Sequence, residues 1–198
     1  VQGSGMTAIA NSKHELLSPN NAAQTMQVPE GFQVTLFAGE PDVTQPIGLC
    51  IDDRGRIWVA ENQSYPKHTS KPANDRIIIL EDTNGDGQHD QRTVFFDKLN
   101  YVSGVEVGFG GVWIMSPPYF YFIPDRDGNL VPDGEPEVML DGFNVAKSNY
   151  HNFANGLSWG PDGWLYGRSG HSCPGLIGTI GTPREERIPI DGGIWRYH

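Results

Sequence analysis

Apolar positions fall in short runs, punctuated by Gly, Asp, Asn and Pro, and one phrase of this kind returns three times along the chain. Gly48-Leu49-Cys50-Ile51, then Asp52-Asp53-Arg54-Gly55, then Arg56-Ile57-Trp58-Val59-Ala60 predicts strand, tight turn, strand. The second copy is Gly104-Val105-Glu106-Val107, a turn over 108–110, and Gly111-Val112-Trp113-Ile114-Met115. The third is Gly156-Leu157-Ser158-Trp159, Gly160-Pro161-Asp162-Gly163 and Trp164-Leu165-Tyr166-Gly167. Trp58, Trp113 and Tyr166 hold the same place in each copy, 55 and 53 residues apart.

Two further β-rich runs follow each of the first two copies: Arg76-Ile77-Ile78-Ile79-Leu80 with Thr93-Val94-Phe95-Phe96, and Tyr119-Phe120-Tyr121-Phe122-Ile123 with Glu137-Val138-Met139-Leu140. Each repeat is therefore a four-strand meander, and four strands in about 40–50 residues is the sequence form of a propeller blade. The expected fold is an all-β β-propeller, with blades at 46–100, 101–148 and 149–198. The third stops at its third strand, Gly193-Ile194-Trp195-Arg196-Tyr197. Propellers close with about four to eight blades, so the chain reads as the N-terminal part of a longer, six-bladed protein. Within 18–198, the alternating run Phe32-Gln33-Val34-Thr35-Leu36-Phe37 is expected to be a strand completing the last blade of the ring. Ser18 reads as an N-cap and Pro19 as the first residue of a short helix over Asn20 to Met26. Residues 1–17 carry no periodicity and are expected to be a tail.

Composition agrees: 25 Gly and 15 Pro in 198 residues provide many turns. The net charge of −10, with no basic run or stripe, argues against a nucleic-acid partner. No apolar stretch approaches the roughly 18 residues of a membrane span. The chain opens on Val1 rather than Met, as after removal of a leader or tag. Cys50, inside Ile47-Gly48-Leu49-Cys50-Ile51, is expected to be a small buried hydrophobe. Cys173, in a Gly/Pro-rich loop, could pair, react or do neither.

In a four-strand meander the loops joining strands two to three, and blade to blade, share one face of the ring. Two of these are long, 62–75 and 168–192, whereas the second blade has only Ser116-Pro117-Pro118 there. Long loops on a rigid scaffold carry function. This face holds Glu61, Tyr65, His68, His151, Arg168 and His171, and is the expected site.

The opposite face holds two acidic loops. Asp82, Asn84, Asp86 and Asp90 occupy positions 1, 3, 5 and 9 of a calcium-type loop, with Gly87 at position 6 and Thr93 where a Glu is usual at 12. Asp125, Asp127, Asn129 and Asp133 repeat the pattern, with Leu130 in the glycine's place. The first loop is the fuller match. The alternative for both is a metal-free turn, which the same residues favour. Calcium bound there would brace a hairpin and take no part in chemistry.

The phrases Leu17-Ser18-Pro19, Pro29-Glu30-Gly31-Phe32, Gly55-Arg56-Ile57-Trp58-Val59-Ala60-Glu61, Ile79-Leu80-Glu81-Asp82-Thr83-Asn84-Gly85-Asp86-Gly87 and Trp159-Gly160-Pro161-Asp162-Gly163-Trp164-Leu165-Tyr166-Gly167 carry a resemblance. From about Leu17 onward, the chain resembles the propeller domain of the membrane-bound dehydrogenases of planctomycetes and related bacteria. More distantly, it is similar to the soluble glucose and sorbosone dehydrogenases that use pyrroloquinoline quinone (PQQ). The resemblance implies an extracytoplasmic quinoprotein dehydrogenase that oxidises a sugar or related alcohol and passes electrons to a c-type haem domain or cytochrome. It implies His151 as the base that removes a hydroxyl proton; the Arg that follows the base in the relatives has no clear match here, Asn155 standing nearest. Glu61, Arg168 and His171 are the candidate cofactor contacts on the same face, with His171 next in line as base. Two other readings stay open. One is a non-catalytic propeller binding glycan or protein through its long-loop face; the other is a sugar or lactone hydrolase using Glu61.

Overall fold

The computed structural model describes residues 17–66, 74–145, 151–171 and 173–198. The short helix α1 spans Pro19–Thr25, and the Ser18 hydroxyl accepts the Asn21 N–H at 3.3 Å, as an N-cap should. Two four-stranded antiparallel meanders follow. The first joins β1 (Pro46–Ile51), β2 (Ile57–Glu61), β3 (Asp75–Glu81) and β4 (Gln91–Leu99). The second joins β5 (Gly104–Val107), β6 (Gly111–Ser116), β7 (Tyr119–Pro124) and β8 (Glu137–Asp141). A third sheet has β10 (Leu165–Ser169) between β9 (Asn155–Trp159) and β13 (Gly193–Tyr197). This is part of a β-propeller.

The apolar run Ile77-Ile78-Ile79-Leu80 lacks a polar face because the first sheet is covered on both sides. Trp58, Ala60, Ile77 and Ile79 pack with Val105, Val112 and Ile114 of the second blade, while Val59, Ile78 and Leu80 pack with Phe37 and Val43 on the other side. Burying each isoleucine contributes about 1.5–3 kcal/mol relative to exposure. Between the second and third blades, Trp113, Met115, Phe120 and Phe143 meet Leu165 and Trp195.

The inner strands β1, β5 and β9 stand side by side, and the repeat glycines make that approach possible. A Cβ on Gly48 would lie 3.7 Å from Gly104 Cα, and one on Gly104 would lie 3.4 Å from the Gly156 nitrogen. The repeated aromatic has a common task. Trp58 Nε1 donates to the Asp52 carboxylate at 2.9 Å, Tyr166 Oη to the Asp162 carboxylate at 2.6 Å, and Trp113 Nε1 to the Gly108 carbonyl at 3.0 Å. In each blade the second strand thus fastens the turn that precedes it. Burial alone would raise the Asp52 carboxyl, but hydrogen bonds from Trp58 and Arg56 hold it below its ordinary value.

Among the described residues, 32–37 pair with no strand, and the Phe37 carbonyl accepts the His89 N–H at 3.1 Å. Phe32 is 73 % exposed, and only Phe37 and Ala38 at the end of this stretch join a core cluster. Within the expected loop 168–192, residues fold into a hairpin, β11 (Gly175–Ile177) with β12 (Ile188–Ile190), spanned by a 3₁₀ turn at Arg184–Glu186. The hairpin docks on the second blade. Asp141 N–H donates to the Gly178 carbonyl at 2.8 Å, Gly178 N–H returns the bond at 3.2 Å, and Arg187 pairs with the Asp141 carboxylate.

Candidate active site

A cleft of about 530 Å³ opens on the long-loop face above the inner strands. Tyr65, Ser103, His151, Asn155, Gly156 and Arg168 supply much of its wall, with Ile47 and Leu49 on one side. None of its lining residues is Asp or Glu. Three chain segments meet there: the turn after β2, the link into the third blade, and the end of β10.

A buried polar network holds the first of these segments. Asn62 accepts the Tyr65 N–H at 2.7 Å and donates its amide to the Val102 carbonyl at 2.8 Å. The Ser64 hydroxyl donates to Asp75 at 2.8 Å, and Asp75 also accepts the Val102 N–H at 3.0 Å. Asn62 and Asp75 are essentially unexposed, so each buried polar group needs these partners. The turn therefore cannot move independently of the link between the first two blades, and it sets Tyr65 at the cleft. There the Tyr65 hydroxyl meets Nδ1 of His151, the rings 5.8 Å apart. Asn62, Ser64 and Asp75 escape sequence reasoning, and their one signal is polar residues standing where apolar strands end.

Arg168 is set by a glycine. Gly156 has φ +62°, and a Cβ there would lie 2.4 Å from Arg168 Nε, so the guanidinium lies across the space that Gly156 leaves open. Among the described residues, no carboxylate forms an ion pair with Arg168. Phe153 packs below the cleft against Tyr101, rings 4.8 Å apart, and with Cys173. The Cys173 thiol is buried and donates to the Asn144 carbonyl at 3.2 Å. Cys50 is buried between the first two blades, and burial pushes its thiol up.

Other candidates lie elsewhere. Glu61 is fully buried and does not line the cleft; its carboxylate accepts the Thr44 N–H at 2.6 Å and pairs with Arg76, with Arg92 at 3.6 Å. His171 is exposed beside Gly192 and is not a lining residue of the cleft. His68 falls outside the described residues.

On the opposite face, the first acidic loop caps itself. Asp82 accepts the N–H groups of Gly85 at 2.7 Å, Asp86 at 3.2 Å and Gly87 at 2.7 Å, and the Gly87 bond leads the others in lowering its carboxyl. Asn84 accepts Asp86 N–H, Asp86 accepts Gln88 N–H, and Asp90 accepts the Thr83 N–H and hydroxyl. In the second loop, Asp133 accepts Arg126 N–H at 2.6 Å, and Asp127 accepts both the main-chain N–H and the side-chain amide of Asn129. Asp125 differs: burial raises its carboxyl, although the Leu130 and Asn129 N–H groups lower it somewhat. Among the described residues, no three His, Cys, Asp or Glu side chains gather into a ready metal cage, and no helix is long and apolar enough to cross a membrane.

A family model described as a domain of unknown function, DUF7133, matches residues 18–198. The chain belongs to this family. No curated protein matches the DUF7133 chain in sequence. Among solved structures it is similar to the PQQ-bound form of an aldose sugar dehydrogenase from Streptomyces coelicolor, at 15 % identity with a TM-score of 0.37. The match covers 76 % of the DUF7133 chain and 43 % of that protein, so the chain spans less than half the length of that structure.

Proposed function

We propose that the His151 cleft belongs to an extracytoplasmic oxidoreductase that takes a hydroxyl-bearing small molecule, a sugar or related alcohol, and uses a quinone of the PQQ class. The observation that carries this reading is the pairing of an accessible imidazole with an unneutralised guanidinium in a cleft without acids. The sequence resemblance points the same way.

The donor set fits an anionic, planar quinone. Arg168 would hold a carboxylate of it, and Ser103 and Asn155 would offer hydrogen bonds from the wall. When bound, the quinone would supply the two-electron acceptor for the alcohol carbon. His151 would take the hydroxyl proton as that carbon is oxidised to a carbonyl. An imidazole whose Nδ1 hydrogen donates to the Tyr65 oxygen would offer its Nε2 lone pair for this task. Tyr65 would orient the ring. The electrons would leave through a c-type haem domain or cytochrome. Calcium at the rim loops would have no part in these steps.

Absorbance titration of the intact protein with PQQ tests the binding half of the reading. Saturable binding is expected, weakened about 10–100-fold in Arg168→Ala, as for loss of a charge-assisted pair worth about 1.5–3 kcal/mol. No binding by the wild type would leave the cleft to the rival reading, a module that docks glycan or protein.

A further inference from the structure

The strand β7 carries Tyr119-Phe120-Tyr121-Phe122, four aromatic residues in a row, and strand alternation sends them to opposite sides of the second blade. Phe120 and Phe122 join the core shared with the third blade, where Phe120 lies 5.4 Å from Trp195. Tyr119 and Tyr121 are on the side of the first blade, their rings 5.5 Å apart and tilted by 52°. The Tyr121 ring packs in part against the core shared with that blade, whereas Tyr119 is 37 % exposed. Core packing here explains one of the two rings and neither hydroxyl. Among the described residues, neither hydroxyl has a hydrogen-bond partner, although a part-buried tyrosine usually finds one.

Both tyrosines line a cleft of about 560 Å³ between the outer strand of the first blade and the second blade, a volume suited to a small organic ligand. Phe96 of β4 adds a third ring, and Lys98 of β4 and Glu135, ahead of β8, also line it. Among the described residues, neither Lys98 nor Glu135 forms an ion pair. The cleft thus offers apolar ring faces together with an ammonium that only donates, a carboxylate that only accepts and two phenols that do both. Burial, with Tyr119 beside it, pushes the Tyr121 hydroxyl up to about 12, so it keeps its proton at neutral pH. The charges of Lys98 and Glu135 cancel. No residue of this cleft lines the one that holds His151.

A neutral ligand with an apolar C–H face and several hydroxyl groups, each both donor and acceptor, matches that set. We propose that this cleft is a saccharide-binding site, in which Tyr119 and Tyr121 hold the face of one sugar ring while their hydroxyls, Lys98 and Glu135 bond its hydroxyl groups. A proline-rich peptide, another partner of aromatic-lined grooves, presents carbonyls but few N–H groups and would leave the Glu135 carboxylate unmet. The site requires no redox chemistry and stands or falls independently of the quinone reading.

Calorimetric titration of the intact protein with maltotetraose, cellotetraose and xylotetraose, in the absence of quinone, tests it. At least one of the three is expected to bind with a Kd below about 1 mM. Tyr119→Ala should weaken that binding about tenfold or more by removing the exposed ring. Tyr121→Phe keeps its ring in the core and loses one hydroxyl, so it should weaken binding about 2–12-fold, and it carries the test if Tyr119→Ala fails to fold. His151→Asn, in the other cleft, should leave the affinity unchanged. Absence of heat with all three sugars up to about 10 mM, or binding that both tyrosine variants retain in full, overturns the proposal. So does binding lost in His151→Asn, which would put the sugar in the other cleft, or a decaproline peptide bound in place of the sugars with the same dependence on Tyr119.

Discussion

The Tyr65 hydroxyl meets Nδ1 of His151 although the two residues are 86 positions apart, one in the turn after β2 of the first blade and one in the link into the third. The pair closes one side of the cleft and reaches past the second blade, whose own connection at that level is the short Ser116-Pro117-Pro118. If the pair fixes the ring for proton abstraction, Tyr65→Phe should lower kcat about tenfold or more, since positioned acid–base groups contribute about 10²–10⁴-fold. The limb of the kcat profile that reports the base should also move along the pH axis, which loss of packing alone would not produce.

Gly156 should be as sensitive as any polar residue of the cleft. An added methyl group meets Arg168 at 2.4 Å and must also adopt φ +62°. Gly156→Ala is expected to cost about 1–2 kcal/mol from the backbone alone and to weaken PQQ binding by displacing the guanidinium. Thermal melting and absorbance titration of the same variant separate the two effects.

Glu61 should behave as a structural residue. With no solvent exposure and a carboxylate engaged by Thr44, Arg76 and Arg92, its removal leaves two guanidinium groups without their partner. Glu61→Ala should cost about 3 kcal/mol, as for breaking a buried pair. Denaturant melts check this, and quinone affinity of the folded fraction should be unchanged.

Glu106 gives a pH dependence of definite sign. Burial raises its carboxyl, although the Val107 N–H and the Cys50 thiol lower it somewhat. Its folded pKa lies above the unfolded value of about 4.3, so ionisation works against the fold. Stability is lost as pH rises from the unfolded pKa through the folded one. Glu106→Gln should therefore melt higher than wild type at pH 7 and lose that advantage near pH 3, a comparison calorimetry at the two values makes directly.

The blades were legible because their signal is local and repeated. Gly-apolar-turn-apolar phrases at 48–60, 104–115 and 156–167 each mark a strand pair, and the position of Trp58, Trp113 and Tyr166 fixes register. His151, Tyr65 and Arg168 could be placed on one face because loop alternation follows from the meander. Glu61 could not be separated from them, since the same alternation places it at the end of β2, and only its partners Arg76 and Arg92, distant in sequence, show that it faces inward. The hairpin β11–β12 was illegible for a related reason. Its strands are three residues each, and Gly175-Leu176-Ile177 gains its order from the edge of β8, through Asp141 and Gly142, not from its own pattern.

His151 bears the central claim. Dye reduction by the intact protein, reconstituted with PQQ and calcium and offered a panel of aldoses, measures it most directly. The wild type should reduce the dye with at least one of them, and His151→Asn should do so about 10²–10⁴-fold more slowly while folding and binding PQQ as the wild type does. A wild type that neither binds the quinone nor reduces dye, or a His151→Asn variant as active as the wild type, would contradict it.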